Sequence, residues 1–289
     1  MNGFDFISAK QRAWASRRRL QIVGSKIKKG EKNYLKNLND NLYRPLHSDT
    51  RKEIENGDGN ELSNSGNSLP KMQALHSSAT IAVNFLEYWR DKNIFDLAYA
   101  LKLCKKNNKR ANNLKFEQKY PVSSDTQTFR IPPNIDAVIT NDWKDFEVYA
   151  IECKYSEAYR PSKEHGLKHA YFQVPETLWK DIPEIKKLAN RISPVDNEFK
   201  YLHPAQLIKH ILGLKRKYDK RFRLLYLWYD VLGNDGSKHR EEIERFADIA
   251  KGDGIKFHSI SYQEFVINLY NEFYDQHKDY IDYISDRYL

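Results

Sequence analysis

The chain has 289 residues, 40% of them hydrophobic and 30% charged, the balance of a globular domain rather than a disordered or fibrous one. No apolar run approaches the ~18 residues of a membrane-spanning helix, and MNGFDFISAKQRAWASRRR lacks the apolar core of a secretory signal, so a cytoplasmic protein is expected. Two cysteines, Cys104 and Cys153, exclude a disulfide framework, and the net charge of +9 makes a polyanionic partner a reasonable prior.

The charge is uneven. Residues 1–60 hold 13 Lys/Arg against 7 Asp/Glu, +6 of the total, whereas the last 19 residues hold 2 basic against 5 acidic. Arg17, Arg18, Arg19, Lys28 and Lys29 are interleaved with Trp14, Tyr34 and Tyr43, and Ile22, Val23, Ile27, Tyr34, Leu35 and Leu38 show patchy helical spacing. One or two basic helices are expected, either contacting nucleic acid or simply presenting a solvated face. From His47 to Pro70 the Asn, Ser, Gly and Asp content predicts an irregular connector. Its Gly-Asp-Gly lacks the following Lys-Ser/Thr of a phosphate-binding loop. Residues 1–70 are therefore taken as a basic N-terminal region and 71–289 as the main domain.

Ser77 and Ser78 are suited to cap a helix over 78–90, and a second helix is expected over 94–104. The period then changes. Segments near 114–121, 128–139 and 146–155 are short, rich in β-branched and aromatic residues and separated by turn-formers, which predicts three strands, the last two forming a hairpin. After a polar stretch with a short helix near 176–190 come helix 204–218, strand 222–231, helix 237–251, strand 255–260 and helix 262–274. This order implies an α/β fold in which helices flank a mixed sheet. The acidic, Tyr-rich terminus (Tyr274, Tyr280, Tyr283, Tyr288) suits either a subunit contact or a packed terminal helix.

Side chains alternate along a strand, so Glu152 and Lys154 share a face with Val148 and Ala150, while Tyr149, Ile151, Cys153 and Tyr155 take the other. Two charges at the end of an apolar strand are costly unless paired, exposed or bound to metal. Asp136 interrupts the neighbouring strand in the same way, and the ten-residue link allows a hairpin that sets it beside Glu152. Hard carboxylate oxygens suit Mg²⁺, which needs only one or two protein carboxylates plus a substrate phosphate. The ammonium of Lys154 would stabilise a nearby water or a charged transition state, and the backbone carbonyl of Cys153 would offer a further ligand. Ordinary cross-strand ion pairing is the competing explanation.

Asp136…Glu152-x-Lys154 resembles the metal-binding core of the PD-(D/E)XK superfamily, the restriction-endonuclease-like nucleases. The resemblance spans about residues 77–232 and implies an αβββαβ core with a basic helical N-terminal extension. It implies a metal-dependent DNA endonuclease, in a restriction or other defence setting, in which Asp136, Glu152 and Cys153 hold Mg²⁺ (or Mn²⁺) and Lys154 assists the water. Glu117, on the preceding strand, becomes a further ligand or orienting group. The Asp here follows Pro-Asn-Ile rather than Pro directly. A second Glu-x-Lys, Glu117-Gln-Lys119, is set aside because no strand-borne Asp precedes it. Gln206 and His210, four apart on one helix face, are candidates to touch the site or substrate. Glu61, Asn84 and Glu87 are weaker candidates, each equally at home on the surface or at a helix cap. The alternative function is a non-catalytic nucleic-acid-binding module on the same fold. RNA remains open beside DNA as partner, and double-strand cutting would favour a homodimer.

Overall fold

The computed structural model describes residues 1–25, 32–160, 165–173 and 176–289. Helices α1 (Gly3–Arg17), α2 (Ser48–Glu55), α3 (Ser78–Leu86) and α4 (Ile94–Ala100) precede the strands β3 (Ala111–Lys119), β4 (Asn134–Asn141) and β5 (Val148–Lys154). A short strand pair, β1 (Ile22–Gly24) and β2 (Lys32–Leu35), lies between α1 and α2. After β5 come α5 (Glu176–Trp179), α6 (Pro183–Arg191), α7 (Pro204–Tyr218), β6 (Phe222–Trp228), α8 (Asn234–Gly252), β7 (Lys256–Ser261) and α9 (Tyr262–Tyr288).

The main sheet has the order β3-β4-β5-β6-β7, antiparallel across β3-β4-β5 and parallel across β5-β6-β7. It is a mixed sheet flanked by helices, as the alternation of elements predicts. The period of two divides it into two apolar layers. Tyr149, Ile151 and Cys153 of β5 join Phe85, Leu97, Phe265 and Ile284 on one side, and Val148 and Ala150 join Ile185, Ile211 and Phe246 on the other. The first layer is closed by α3, α4 and α9, the second by α6, α7 and α8. Helix α7 has the predicted bounds because Pro204 fits its first turn, where no amide hydrogen is needed.

Three expectations change. The apolar residues after Arg19 do not continue a helix: Ile22 pairs with Leu35 and Val23 with Tyr34 in the antiparallel β1-β2 pair, which seats Leu35 against Trp14 and Leu75. β-branched Ile22 and Val23 suit that extended backbone, and tertiary burial outweighs their loose helical spacing. The connector is not wholly irregular, since α2 occupies its start and His47 caps it by accepting the Asp49 amide at 3.2 Å. Helix α9 continues beyond 274 through a break at His277, where φ is −132°. Its last limb buries Tyr280, Ile281, Ile284 and Tyr288, so the Tyr-rich terminus is a packed helix. Ile7, Leu42 and Ile54 belong to the same apolar layer as the sheet, so α1, α2 and the segment around Leu42 pack onto the body.

Candidate active site

The site is assembled by strand register. Ala137 pairs with Ile151, which sets Asp136 opposite Glu152; Phe116 pairs with Ala137 and Gln118 with Ile135, which sets Glu117 opposite Asp136. Three carboxylates thus stand on three adjacent strands. Asp136 Oδ2 accepts the Cys153 amide at 2.7 Å, bridging β4 and β5 where their backbone pairing ends. Because a strand residue's N–H and C=O point to the same side, the Cys153 carbonyl also faces β4. Lys154 uses the opposite edge, its carbonyl accepting from the Tyr229 amide at 3.0 Å.

Glu152 and Lys154 are almost fully buried, 1% and 8% exposed, on the face covered by α7. Lys154 Nζ lies 2.6 Å from Glu152 Oε1 and donates to Gln206 Oε1 at 2.9 Å. His210 Nε2 donates to Glu152 Oε2 at 2.9 Å. One helix face therefore grips the pair at both heads, since residues four apart on a helix are neighbours. Glu117 adopts φ +52°, a left-handed backbone that costs a non-glycine residue about 1–3 kcal/mol, and accepts from Asn134 Nδ2. A Cβ on Gly57 would stand 2.7 Å from Glu117 Oε2, so the Gly-Asp-Gly loop lies against this carboxylate.

The electrostatics are one-sided. Burial pushes the Asp136 carboxyl well up, and the Glu152 charge pushes it further, against the partial relief of Lys154. Glu117 rises to about 7 through burial and the charges of Glu61, Glu152 and Asp58, despite the Asn134 hydrogen bond. Glu152 behaves oppositely: burial would raise it, but Lys154 and His210 outweigh burial and hold it at about 2. Burial likewise opposes the Lys154 ammonium, yet Glu152, Glu157 and Asp136 keep it charged by raising its pKa. The carboxylates outnumber the one lysine, so a bound cation would relieve their repulsion.

The donors fit a hard divalent cation. Glu152 Oε1 is buried and, apart from its ion pair with Lys154, receives no well-formed hydrogen bond. Among the described residues no group of three or more His, Cys, Asp or Glu is arranged to hold an ion. A pair of carboxylates with a backbone carbonyl remains sufficient for Mg²⁺, which retains waters.

A family described as a restriction endonuclease associating with ARP matches residues 8–289. The chain belongs to that restriction-endonuclease family. No curated protein matches it, and no solved structure does.

Within this restriction-endonuclease chain the remaining candidates divide. Gln206 and His210 reach the site through the contacts above. Glu61 lies close enough for its charge to raise Glu117, and Lys71 stands 3.6 Å from its Oε1. Asn84 and Glu87 do not join the site. Asn84 accepts the Tyr43 amide and donates to Asn41 O and Tyr288 Oη; Glu87 accepts the His47 amide at the start of α2. Arg17 and Arg18 pair with Asp286 at 3.4 and 2.9 Å on the exposed surface, and Arg19 is exposed at φ +56°. Lys28 and Lys29 lie outside the described residues. Lys119, of the rejected Glu117-x-Lys119, pairs with Asp58 at 2.7 Å. Two participants had no periodic signal in the sequence. Asn134 holds Glu117, and Glu157, on a turn just past β5, accepts the Tyr155 amide at 3.2 Å and supports the Lys154 charge. An open cleft of about 900 Å³ adjoins the site and is lined by Asn134, Gln206 and His210 among others.

Proposed function

We propose that this member of the restriction-endonuclease family is a Mg²⁺-dependent endonuclease that hydrolyses DNA phosphodiester bonds at Asp136, Glu152 and Lys154, in a cytoplasmic restriction or defence setting. The observation that carries the reading is Glu152. It is nearly fully buried, held ionised, gripped by Lys154 and His210, and set opposite Asp136. The succession α3-β3-β4-β5-α7-β6 is read as the αβββαβ nuclease core, with residues 1–70 as an N-terminal region packed on a 71–289 body.

Asp136 and Glu152 would hold the ion together with the Cys153 carbonyl, and Glu117 supplies a further oxygen beside Asp136. Bound there, Mg²⁺ (or Mn²⁺) supplies a more acidic water and neutralises charge on the phosphate. Lys154 remains an ammonium, so it acts as a hydrogen-bond donor to the attacking water or to a phosphate oxygen and not as a base. Gln206 fixes its direction, and His210 fixes that of Glu152. The water oxygen forms the new P–O bond while the ester P–O bond breaks, and the departing oxygen takes a proton. The basic N-terminal arginines Arg17, Arg18 and Arg19 would help hold the DNA backbone, and a two-fold dimer would present two such sites to a duplex.

Plasmid and single-stranded DNA incubated with and without Mg²⁺ or Mn²⁺, comparing the parent chain with Glu152→Gln and Lys154→Ala, tests this. The expected result is metal-dependent cutting reduced about 10²–10³-fold or more in each variant. Cutting that survives both substitutions overturns the site. Metal-independent DNA binding without cutting would instead support a binding module.

A further inference from the structure

The cleft beside the site is furnished with more than cleavage requires. It is lined by Asp58, the 127–134 segment, His165, Lys168, Tyr171, Asp196 and the start of α7. Its volume of about 900 Å³ falls within the ~300–1,000 Å³ of small-ligand sites.

Two residues of its lining each carry a buried oxygen with no hydrogen-bond partner among the described residues: Asn134 Oδ1 and Asp196 Oδ2. Their other polar atoms are already engaged, which fixes the character of the free ones. Asn134 Nδ2 donates to Glu117, so Oδ1 is an acceptor. Asp196 Oδ1 accepts the Glu198 and Phe199 amides at 2.8 and 3.1 Å, leaving Oδ2 as an acceptor on a side chain 8% exposed. An unmet buried acceptor is costly, and two on one cleft call for a ligand with N–H donors.

The rest of the lining suits a phosphate-bearing aromatic ligand. Phe129 and Tyr171 meet edge to face at 5.1 Å between centroids, and Lys209 Nζ lies 5.7 Å from the Tyr171 ring. Arg130, Lys168 and Lys209 form no ion pair among the described residues, and the start of α7 adds the positive end of a 15-residue helix.

We propose that this cleft is a nucleotide subsite. It takes one base bearing an exocyclic amine against Asn134 and Asp196, and its phosphate against Lys168, Lys209 and the start of α7. The proposal deepens the nuclease reading and rests on it. Thymine, which has no such amine, is the base it disfavours. A base-paired amine is already engaged, so a base from DNA must leave the stack to enter, at the cost of unstacking. A free nucleotide offers the same chemistry without that cost.

The test uses the full chain without metal, so that binding is read apart from cleavage. Calorimetric titration with dAMP, dCMP, dGMP and dTMP should give at least one amine-bearing nucleotide bound about tenfold or more tighter than dTMP. Asp196→Asn retains an oxygen for the Glu198 and Phe199 amides but turns the free acceptor into a donor, and should erase that preference. The Lys168→Ala/Lys209→Ala double variant should weaken all four alike. In a second arm, a duplex carrying 2-aminopurine gains fluorescence on binding if the base comes from the strand. Saturable mononucleotide binding without that gain assigns the subsite to free nucleotides. Absence of both signals overturns the proposal, as does equal binding of the four nucleotides by the parent chain and folded Asp196→Asn. If Mg²⁺-dependent cutting persists in that case, the nuclease reading stands alone; binding without any cutting would fail that reading and not the subsite.

Discussion

Where α1 meets the last limb of α9, Arg287 is fully buried without a carboxylate partner. Its Nε donates to Gln11 Oε1 at 3.0 Å, and its other nitrogens donate to Asn41 O, Asn41 Oδ1 and Tyr283 Oη at 2.5–2.8 Å. The guanidinium also lies 4.1 Å from the Trp14 ring centroid. At the ends of β4 and β5, by contrast, Asp136, Glu152 and Glu117 crowd like charges around one lysine. The first cluster matches a charge to neutral acceptors and joins the chain termini. The second leaves a repulsion among carboxylates that a bound cation would relieve. Buried polarity alone therefore does not identify a site.

The largest test of this contrast is Arg287→Met. It leaves the Gln11 and Asn41 acceptors buried and unmet, and should lower stability by about 3 kcal/mol in urea unfolding while activity per folded molecule is unchanged. A loss under about 1 kcal/mol would show the junction to be weaker than its hydrogen bonds suggest. At the other cluster, Mg²⁺ should raise the melting temperature by a few degrees, ~2–4 °C for each kcal/mol of binding linkage. Asp136→Asn should melt no lower than the parent chain without metal, because it removes a like charge, and should lose the Mg²⁺ increment. An equal Mg²⁺ shift in parent and variant would detach the ion from this site.

A third polar cluster separates the two cases by pH. His239, fully buried, lies 2.9 Å from Tyr226 Oη and 3.1 Å from Tyr159 Oη, and burial, helped by His203 and Lys154, holds it at about 3. Its folded pKa lies below the unfolded value of 6.5, so the unfolded chain binds the extra proton. Its contribution is complete above about pH 6.5 and is lost as pH falls toward 3. Denaturation midpoints measured from pH 7.5 to 4.5 should fall, and His239→Gln should flatten the slope. His76, held at about 4 by burial and by Arg160 and Arg12, retains part of it. The smallest effect belongs to the exposed Arg17 and Arg18, whose double replacement by alanine should change stability by no more than about 1 kcal/mol. If they touch DNA, the salt dependence of binding should fall by ~1 in slope per charge removed; an unchanged slope would leave them as surface residues.

Strand periodicity alone places Glu152 and Lys154 on one face, because alternation is a local property of extended backbone. The bounds of α7 are legible for a similar reason, with Pro204 marking its start and the apolar spacing of Leu207, Ile211 and Leu214 its buried stripe. The β1-β2 pair was not legible, since Ile22, Val23, Tyr34 and Leu35 satisfy a loose helical spacing until Leu35 finds Trp14 and Leu75. Asn84 and Glu87 show the converse. Polar residues on a helix beside a site look available, but Asn41 and Tyr288 claim one and His47 the other.

What the sequence determined by itself was the mixed α/β order of elements and the pairing of Glu152 with Lys154 at a strand end, because both follow from short-range periodicity. Only the tertiary structure decided that His210 grips Glu152, that Gln206 grips Lys154, and that Glu117 stands opposite Asp136 beneath Gly57. Those contacts join residues 19 to 60 positions apart, and their energies depend on burial and on neighbouring charge, which no local pattern encodes.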